Sequence, residues 1–270
     1  MKWIGALVSI VLSFNVFASV EQYVRFEQQG KIQYGKLNNN QVYPISGDLF
    51  SEHEISDKGI SLDSVTLLLP TKPEKVFAVG MNFASHLASS SSAPPPLFLK
   101  LSTSLILSGE TIQAPQDAKN VHFEGEMVLV IGKTAKEVSL DEASDYIWGV
   151  TVGNDLTERS WQGRDLQWMR AKASDGFAPI APTISKGINY KDVMLTTRLN
   201  GKVVQQESTK NMIHSPEKVV SYLSHYFTLK PGDLIFMGTP GRTKALKDKD
   251  VVSVSIEGVG EVKNEIRFNP

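Results

Sequence analysis

The chain has no cysteine, which at once removes disulfide staples, thiolate nucleophiles, Cys-ligated zinc and iron–sulfur clusters. Any metal must be held by oxygen or imidazole. An excess of one charge is missing too: 28 basic residues stand against 29 acidic ones, a formal net charge of −1. No field gathers nucleic acid or anionic lipid, so neither is an expected partner. The five histidines form no HExxH pair, and no serine sits in a GxSxG setting, which argues against zincin and α/β-hydrolase chemistry. "GTPG" at 238–241 lacks the Lys-Ser/Thr of a phosphate loop and a capped helix after it, and "GVG" at 258–260 lacks its third glycine. Both read as turns.

What is present begins with "MKWIGALVSIVLSFNVFASVEQ". A basic start at Lys2, an apolar stretch from Trp3 to Phe17 and then small residues make a signal-peptide pattern, with Val16 and Ala18 at the −3 and −1 sites of a cut before Ser19. The stretch is short for a membrane span. The expectation is a signal peptide over 1–18 and an exported, periplasmic chain with no membrane attachment once the signal is cut.

At 270 residues the chain has ample material for one large domain, or a small one plus a larger one. Tyr23 to Ile45 alternates in short runs broken by "QQGK" and "NNN", the turn chemistry of a small β-meander. "TLLLPTKPEKVFAVG" gives short strands around Pro70 and Pro73, and there the boundary is placed: a small N-terminal β region over 19–72, then a single unit over 73–270. "ASHLASSSSAPPPLFLK" reads as a linker, or as a lid loop carrying His86. "SLDEASDY" reads as a Ser139/Glu142 capping box opening a short helix. "LTTRLNGKVVQQ" reads as a hairpin turning at Asn200-Gly201, and "SPEKVVSYLSHYF" as a helix with Ser215 as N-cap and Pro216 at N1. The pattern is α+β and strand-rich, and without βαβ alternation a doubly wound sheet is disfavoured.

One stretch carries chemistry. In "HFEGEMVLVIGK", 122–133, extended backbone puts Glu124, Glu126, Val128 and Val130 on one face, successive side chains on that face being roughly 6.6 Å apart. Gly125, Met127, Leu129 and Ile131 take the other. Both faces turn apolar after Glu126, so the strand is covered on both sides. Two carboxylates at its mouth either end in water or hold a hard cation such as Mg²⁺ or Mn²⁺. A third ligand decides between these.

Seven blocks, "VGMNFASH", "PPLFLK", "VHFEGEMVLVIGK", "YIWGVTVGNDLTERSWQ", "RAKASDGFAPIAP", "LNGKVVQ" and "LKPGDLIFMGTP", resemble in order and spacing the fumarylacetoacetate hydrolase family over about residues 73 to 266. The resemblance implies a mixed β roll around a divalent metal, usually in a homodimer. It puts the metal carboxylates on Glu124, Glu126 and Asp155, which supplies the third ligand. It also implies Lys172 as the lysine that holds an enolate oxygen or delivers a proton, Arg159 and Gln162 as the clamp on a substrate carboxylate, Thr239 as a hydroxyl contact and His86 as the base. The implied substrate is a small 2-oxo or 2,4-dioxo acid. The implied reaction is hydrolytic C–C cleavage of an acylpyruvate-like or fumarylacetoacetate-like acid; decarboxylation or keto–enol isomerisation of a 2-oxo dicarboxylate is the alternative, and a non-catalytic metal-binding module the rival from another class. The chain departs from the family at Ser89, where many small members carry the glutamate that orients the lid histidine. That puts the setting of His86 in doubt.

The leader gives a first expected outcome: a mature chain that begins near Ser19 and lies outside the cytoplasm. Intact-mass spectrometry on fractionated cells checks it, and a cytoplasmic chain that keeps Met1 contradicts it.

Overall fold

The computed structural model describes residues 20–87 and 94–268. The leader at 1–18 and Ser89 therefore lie outside the described residues.

The meander forms as its turn residues dictate. Strands Glu21–Gln28, Lys31–Asn38 and Gln41–Gly47 are joined at Gln29-Gly30 and Asn39-Asn40, all with positive φ, the geometry of tight primed hairpin turns. The meander is hydrogen-bonded into the main sheet, because Glu21–Gln28 pairs antiparallel with Thr183–Lys186. From there the sheet runs through Ile147–Asn154, Gly125–Ile131, Leu234–Phe236, Val76–Val79 and Leu97–Lys100. It is mixed: Leu234–Phe236 runs parallel to Val76–Val79, while the central Gly125–Ile131 and Ile147–Asn154 strands are antiparallel. A second sheet holds Ile112–Gln113, Gly260–Arg267, Val251–Ile256, Met194–Leu199 and Lys202–Ser208, its hairpin turning at Asn200-Gly201 with both residues at positive φ.

Period-two alternation assigns the two faces of the main sheet to two cores. Met127, Leu129, Ile131, Val150 and Val152 pack with Leu195, Val252 and Val254 of the second sheet and with Val219 and Leu223 of a helix, α1, at Pro216–Tyr226. Val128, Val130, Phe236, Ala78, Phe98 and Ile184 form the core on the opposite face. The central strand is buried along its whole length, as its apolar run beyond Glu126 requires. α1 starts where its sequence says: the Ser215 hydroxyl accepts from the Lys218 amide at 3.2 Å and Pro216 occupies the first turn.

One local expectation fails. The Ser139 hydroxyl donates to the Glu142 carboxylate at 2.6 Å and caps no helix; only a 3₁₀ turn follows, at Ala143–Tyr146. Serine and glutamate three apart satisfy each other directly where no helix supplies free amides.

Gly153 lies opposite Glu126 in the ladder and has no room for a side chain. A Cβ there would come within 2.5 Å of the Phe236 ring and 2.7 Å of Val128. Gly153→Ala is therefore expected to lower the unfolding free energy by about 1–3 kcal/mol through overpacking. Denaturant titration checks this, and a variant as stable as the parent contradicts it.

Candidate metal centre and active site

The site grows out of the central ladder. Gly125 pairs with Asn154 and Glu126 with Gly153, so one step further Glu124 lies opposite Asp155, and the Asp155 amide donates to the Glu124 carbonyl at 2.8 Å. Residues opposite each other share a face, as do i and i+2. Glu124, Glu126 and Asp155 therefore converge on one face, at the end of the core that contains Val128 and Phe236. Each has a carboxylate oxygen within 4.8 Å of the others, and all three are buried. The turn after Leu234–Phe236 fixes Glu126: Gly238, at φ +92, points its amide at Oε2, 2.7 Å away. Asn154 accepts from the Glu124 amide at 2.9 Å.

Cations stand against this group. Lys172 Nζ is 2.5 Å from Glu124 Oε2 and 2.6 Å from Asp155 Oδ2. Its short helix, α2, at Met169–Ala173, is entered through Gln167 and Trp168, both at φ 60, a left-handed pair made without glycine or asparagine. Lys100 ends strand Leu97–Lys100 on the same face as Phe98; its fully buried ammonium donates to the Asp155 carboxylate and to the Lys172 carbonyl. Arg159 donates to Glu124, to Gln162 Oε1 at 2.7 Å and to Thr243 Oγ1 at 3.1 Å. The turn of helix Arg159–Gln162 that carries both is capped by Glu158, whose carboxylate accepts from the amides of Ser160, Lys119 and Asn120 at 2.6–2.7 Å.

These neighbours pull the carboxyl groups apart. Burial works to raise Glu124, yet Lys172 and Arg159 outweigh it and hold the group at about 2. Glu126 goes the other way: burial, then the Asp155 and Glu124 carboxylates, push it well above the usual carboxylate range. Lys100 is lowered by burial against the pull of Asp155. In Lys172 burial is outweighed by Asp155 and Glu124, so its ammonium is strengthened.

One cavity of about 260 Å³ is lined by Glu124, Glu126, Asp155, Arg159, Gln162, Lys172, His86 and Thr239 together. Met81, Phe98 and Trp168 form an apolar wall, with Phe98 and Trp168 edge to face at 5.6 Å. His86 Nε2 is 3.8 Å from Glu124 Oε1. The Thr239 hydroxyl accepts from Gln205 Nε2 at 2.9 Å, which leaves its proton free to donate. The sequence reading missed Lys100, although "PPLFLK" showed a lysine closing an apolar strand on the Phe98 face. It also missed Gln205 and the left-handed entry to α2.

A family model described as fumarylacetoacetate (FAA) hydrolase, C-terminal, matches residues 75–267, and one described as Rv2993c-like, N-terminal, matches residues 22–70. The chain belongs to the fumarylacetoacetate hydrolase family. The 2-hydroxyhepta-2,4-diene-1,7-dioate isomerase from Mycobacterium marinum, known from a crystal structure, is 34% identical, with a TM-score of 0.86 over 92% of this chain and 99% of that one. The mitochondrial oxaloacetate tautomerase Fahd2a of Rattus norvegicus is 33% identical over 77% of this chain and 71% of its own. A fumarylpyruvate hydrolase from Pseudomonas aeruginosa, solved with Mn²⁺ and pyruvate, is 29% identical, with a TM-score of 0.68 over 79% and 93%.

The donor set suits a hard divalent cation: three buried carboxylates and no sulfur. Because Glu126 binds its proton more tightly folded than unfolded, its contribution to stability is complete below the unfolded value of about 4.3 and declines as pH rises through the folded value. Glu126→Gln removes that decline. Without metal at neutral pH the variant is expected to melt at or above the parent, while Mn²⁺ raises the melting temperature of the parent alone. Calorimetric titration and melts of both proteins check this, and a variant stabilised equally by Mn²⁺ overturns the metal centre.

Proposed function

We propose that the chain is a metal-dependent enzyme, using Mg²⁺ or Mn²⁺, that enolises a small 2-oxo acid and interconverts the keto and enol forms of a dicarboxylate of the oxaloacetate class. The observation that carries this reading is the placement of an ammonium and an imidazole about one carboxylate. Lys172 Nζ lies 2.5 Å from Glu124 Oε2, and His86 Nε2 lies 3.8 Å from Oε1. The names of the Mycobacterium marinum isomerase and the rat tautomerase support the same chemistry.

A cation held by Glu124, Glu126 and Asp155 would supply electrostatic stabilisation of the negative charge of an enolate. The chain's own groups do the rest. Arg159, aligned by its bond to Gln162, takes the substrate carboxylate through charge-assisted hydrogen bonds. Thr239 donates its free proton to a substrate oxygen. His86 Nε2 removes the proton from C3; the C–H electron pair becomes the C2–C3 double bond and the carbonyl pair moves onto oxygen. Lys172 delivers a proton to that oxygen, giving the enol, and the reverse path returns both protons. The wall of Met81, Phe98 and Trp168 keeps bulk water from the enolate.

A second reading, hydrolysis of a 2,4-dioxo acid, is favoured by the Pseudomonas relative and its bound pyruvate. There His86 deprotonates water, the hydroxide adds to C4, and the C3–C4 bond breaks to leave a carboxylic acid and the enolate of a 2-oxo acid, which takes a proton at C3.

Oxaloacetate and a series of acylpyruvates, each offered with Mg²⁺ or Mn²⁺, separate the two. The expected outcome is rapid loss of the oxaloacetate enol absorbance without release of pyruvate. His86→Asn is expected to slow it about 10²–10⁴-fold. Pyruvate and a free acid from acylpyruvates alone indicate hydrolysis, pyruvate from oxaloacetate indicates decarboxylation, and no turnover of any of them overturns the proposal.

A further inference from the structure

We infer that Ser85 and Glu207 are positioning residues for His86, acting through Gly241 to hold the ring in the Nδ1–H tautomer with Nε2 facing the cavity. The inference rests on the reading of His86 as the base. His86 Nδ1 is 2.6 Å from the Gly241 carbonyl oxygen. A carbonyl only accepts, so Nδ1 carries a hydrogen, and in the neutral ring the lone pair is therefore on Nε2. That nitrogen is the one 3.8 Å from Glu124.

Gly241 is itself held on the other side of its Cα, through the peptide that joins it to Pro240. Its amide donates to Ser85 Oγ at 2.9 Å, and the Ser85 hydroxyl donates to Glu207 Oε2. The second oxygen of Glu207 accepts from Asn211 Nδ2 at 3.1 Å. Two neighbours, Ser85 and His86, thus grip the donor and the acceptor of one glycine, a closed ring that fixes the imidazole plane as well as its tautomer. The strand Lys202–Ser208 supports the same turn at a second point. Gln205, two residues before Glu207 and so on the same face, donates to the Pro240 carbonyl at 2.5 Å and to Thr239. The turn that presents Thr239 to the cavity therefore also orients the base.

This clasp meets the difficulty raised by Ser89. A peptide carbonyl sets the tautomer as a carboxylate would, without a full negative charge beside the ring.

Ser85→Ala and Glu207→Ala, made in the full chain and assayed with Mn²⁺ and the 2-oxo acid the parent turns over, are expected to lower kcat about tenfold or more with KM changed less than about twofold. Ser85→Thr, which keeps the hydroxyl, is expected to recover most of the loss. Nitrogen-15 NMR of the parent should show His86 as the Nδ1–H tautomer, with a mixture in Ser85→Ala. An Nε2–H tautomer in the parent overturns the inference. So does equal loss in Ser85→Ala and Ser85→Thr, or a loss that appears only as a lower melting temperature. If the parent turns over no 2-oxo acid, the proposed function fails, while the tautomer measurement still upholds or overturns the clasp.

Discussion

Three carboxylates share the buried end of one β-ladder here, and most of the surrounding structure follows from that. Two like charges at about 4 Å repel by about 4 kcal/mol even at an effective dielectric of about 20, so the group persists in an apolar setting only with cations against it or with a proton on one member. The protein uses both. Lys172, Lys100 and Arg159 each touch Glu124 or Asp155, and Glu126, reached by neither lysine, is the carboxyl driven toward its protonated form. A divalent cation would replace the proton and relax the repulsion, so metal affinity and proton release are coupled.

Each cation needs its own element to bring it in, and the cost falls on the backbone. Lys172 reaches the centre because Gln167 and Trp168 turn left-handed before α2, a conformation that costs on the order of 1–3 kcal/mol per residue. Trp168 recovers part of this by packing on Phe98, and Lys100, two residues beyond Phe98 on the same face, bonds the carbonyl at the Lys172 end of α2. Strand and helix thus lock each other through the same side chains that balance the charge. The Arg159 helix is too short to hold itself, and the Glu158 carboxylate, gathering three backbone amides, does so.

What could be read from the sequence follows period and spacing. The meander was legible because Gln-Gly and Asn-Asn mark turns, and the double burial of the central strand because both faces turn apolar after Glu126. Glu124 and Glu126 were legible as a same-face pair. Asp155 was not, since its place depends on the register between two strands 30 positions apart, which periodicity does not specify; family resemblance supplied it. Lys100 closes the apolar strand of "PPLFLK", yet nothing local marks a lysine whose partners lie 55 and 72 positions away. The left-handed pair at 167–168 lacks the glycine or asparagine that usually announces such a turn. Ser139 and Glu142 show the converse, a good local motif with no helix to serve.

The groups of the candidate site differ in how firmly they are held. The carboxylates sit on paired central strands buried on both faces, where a shift would disturb two cores at once. His86 sits on a segment outside the long strands, tied by its own ring and by Ser85 to a single glycine. Those two hydrogen bonds are at most partly buried and belong to neither strand of the ladder. Gly241, on which the ring docks, is in turn held through Ser85 and Glu207 by strand Lys202–Ser208. The carboxylates, by contrast, are fixed where cations on Glu124 and Asp155, together with the proton favoured on Glu126, keep their mutual repulsion in check.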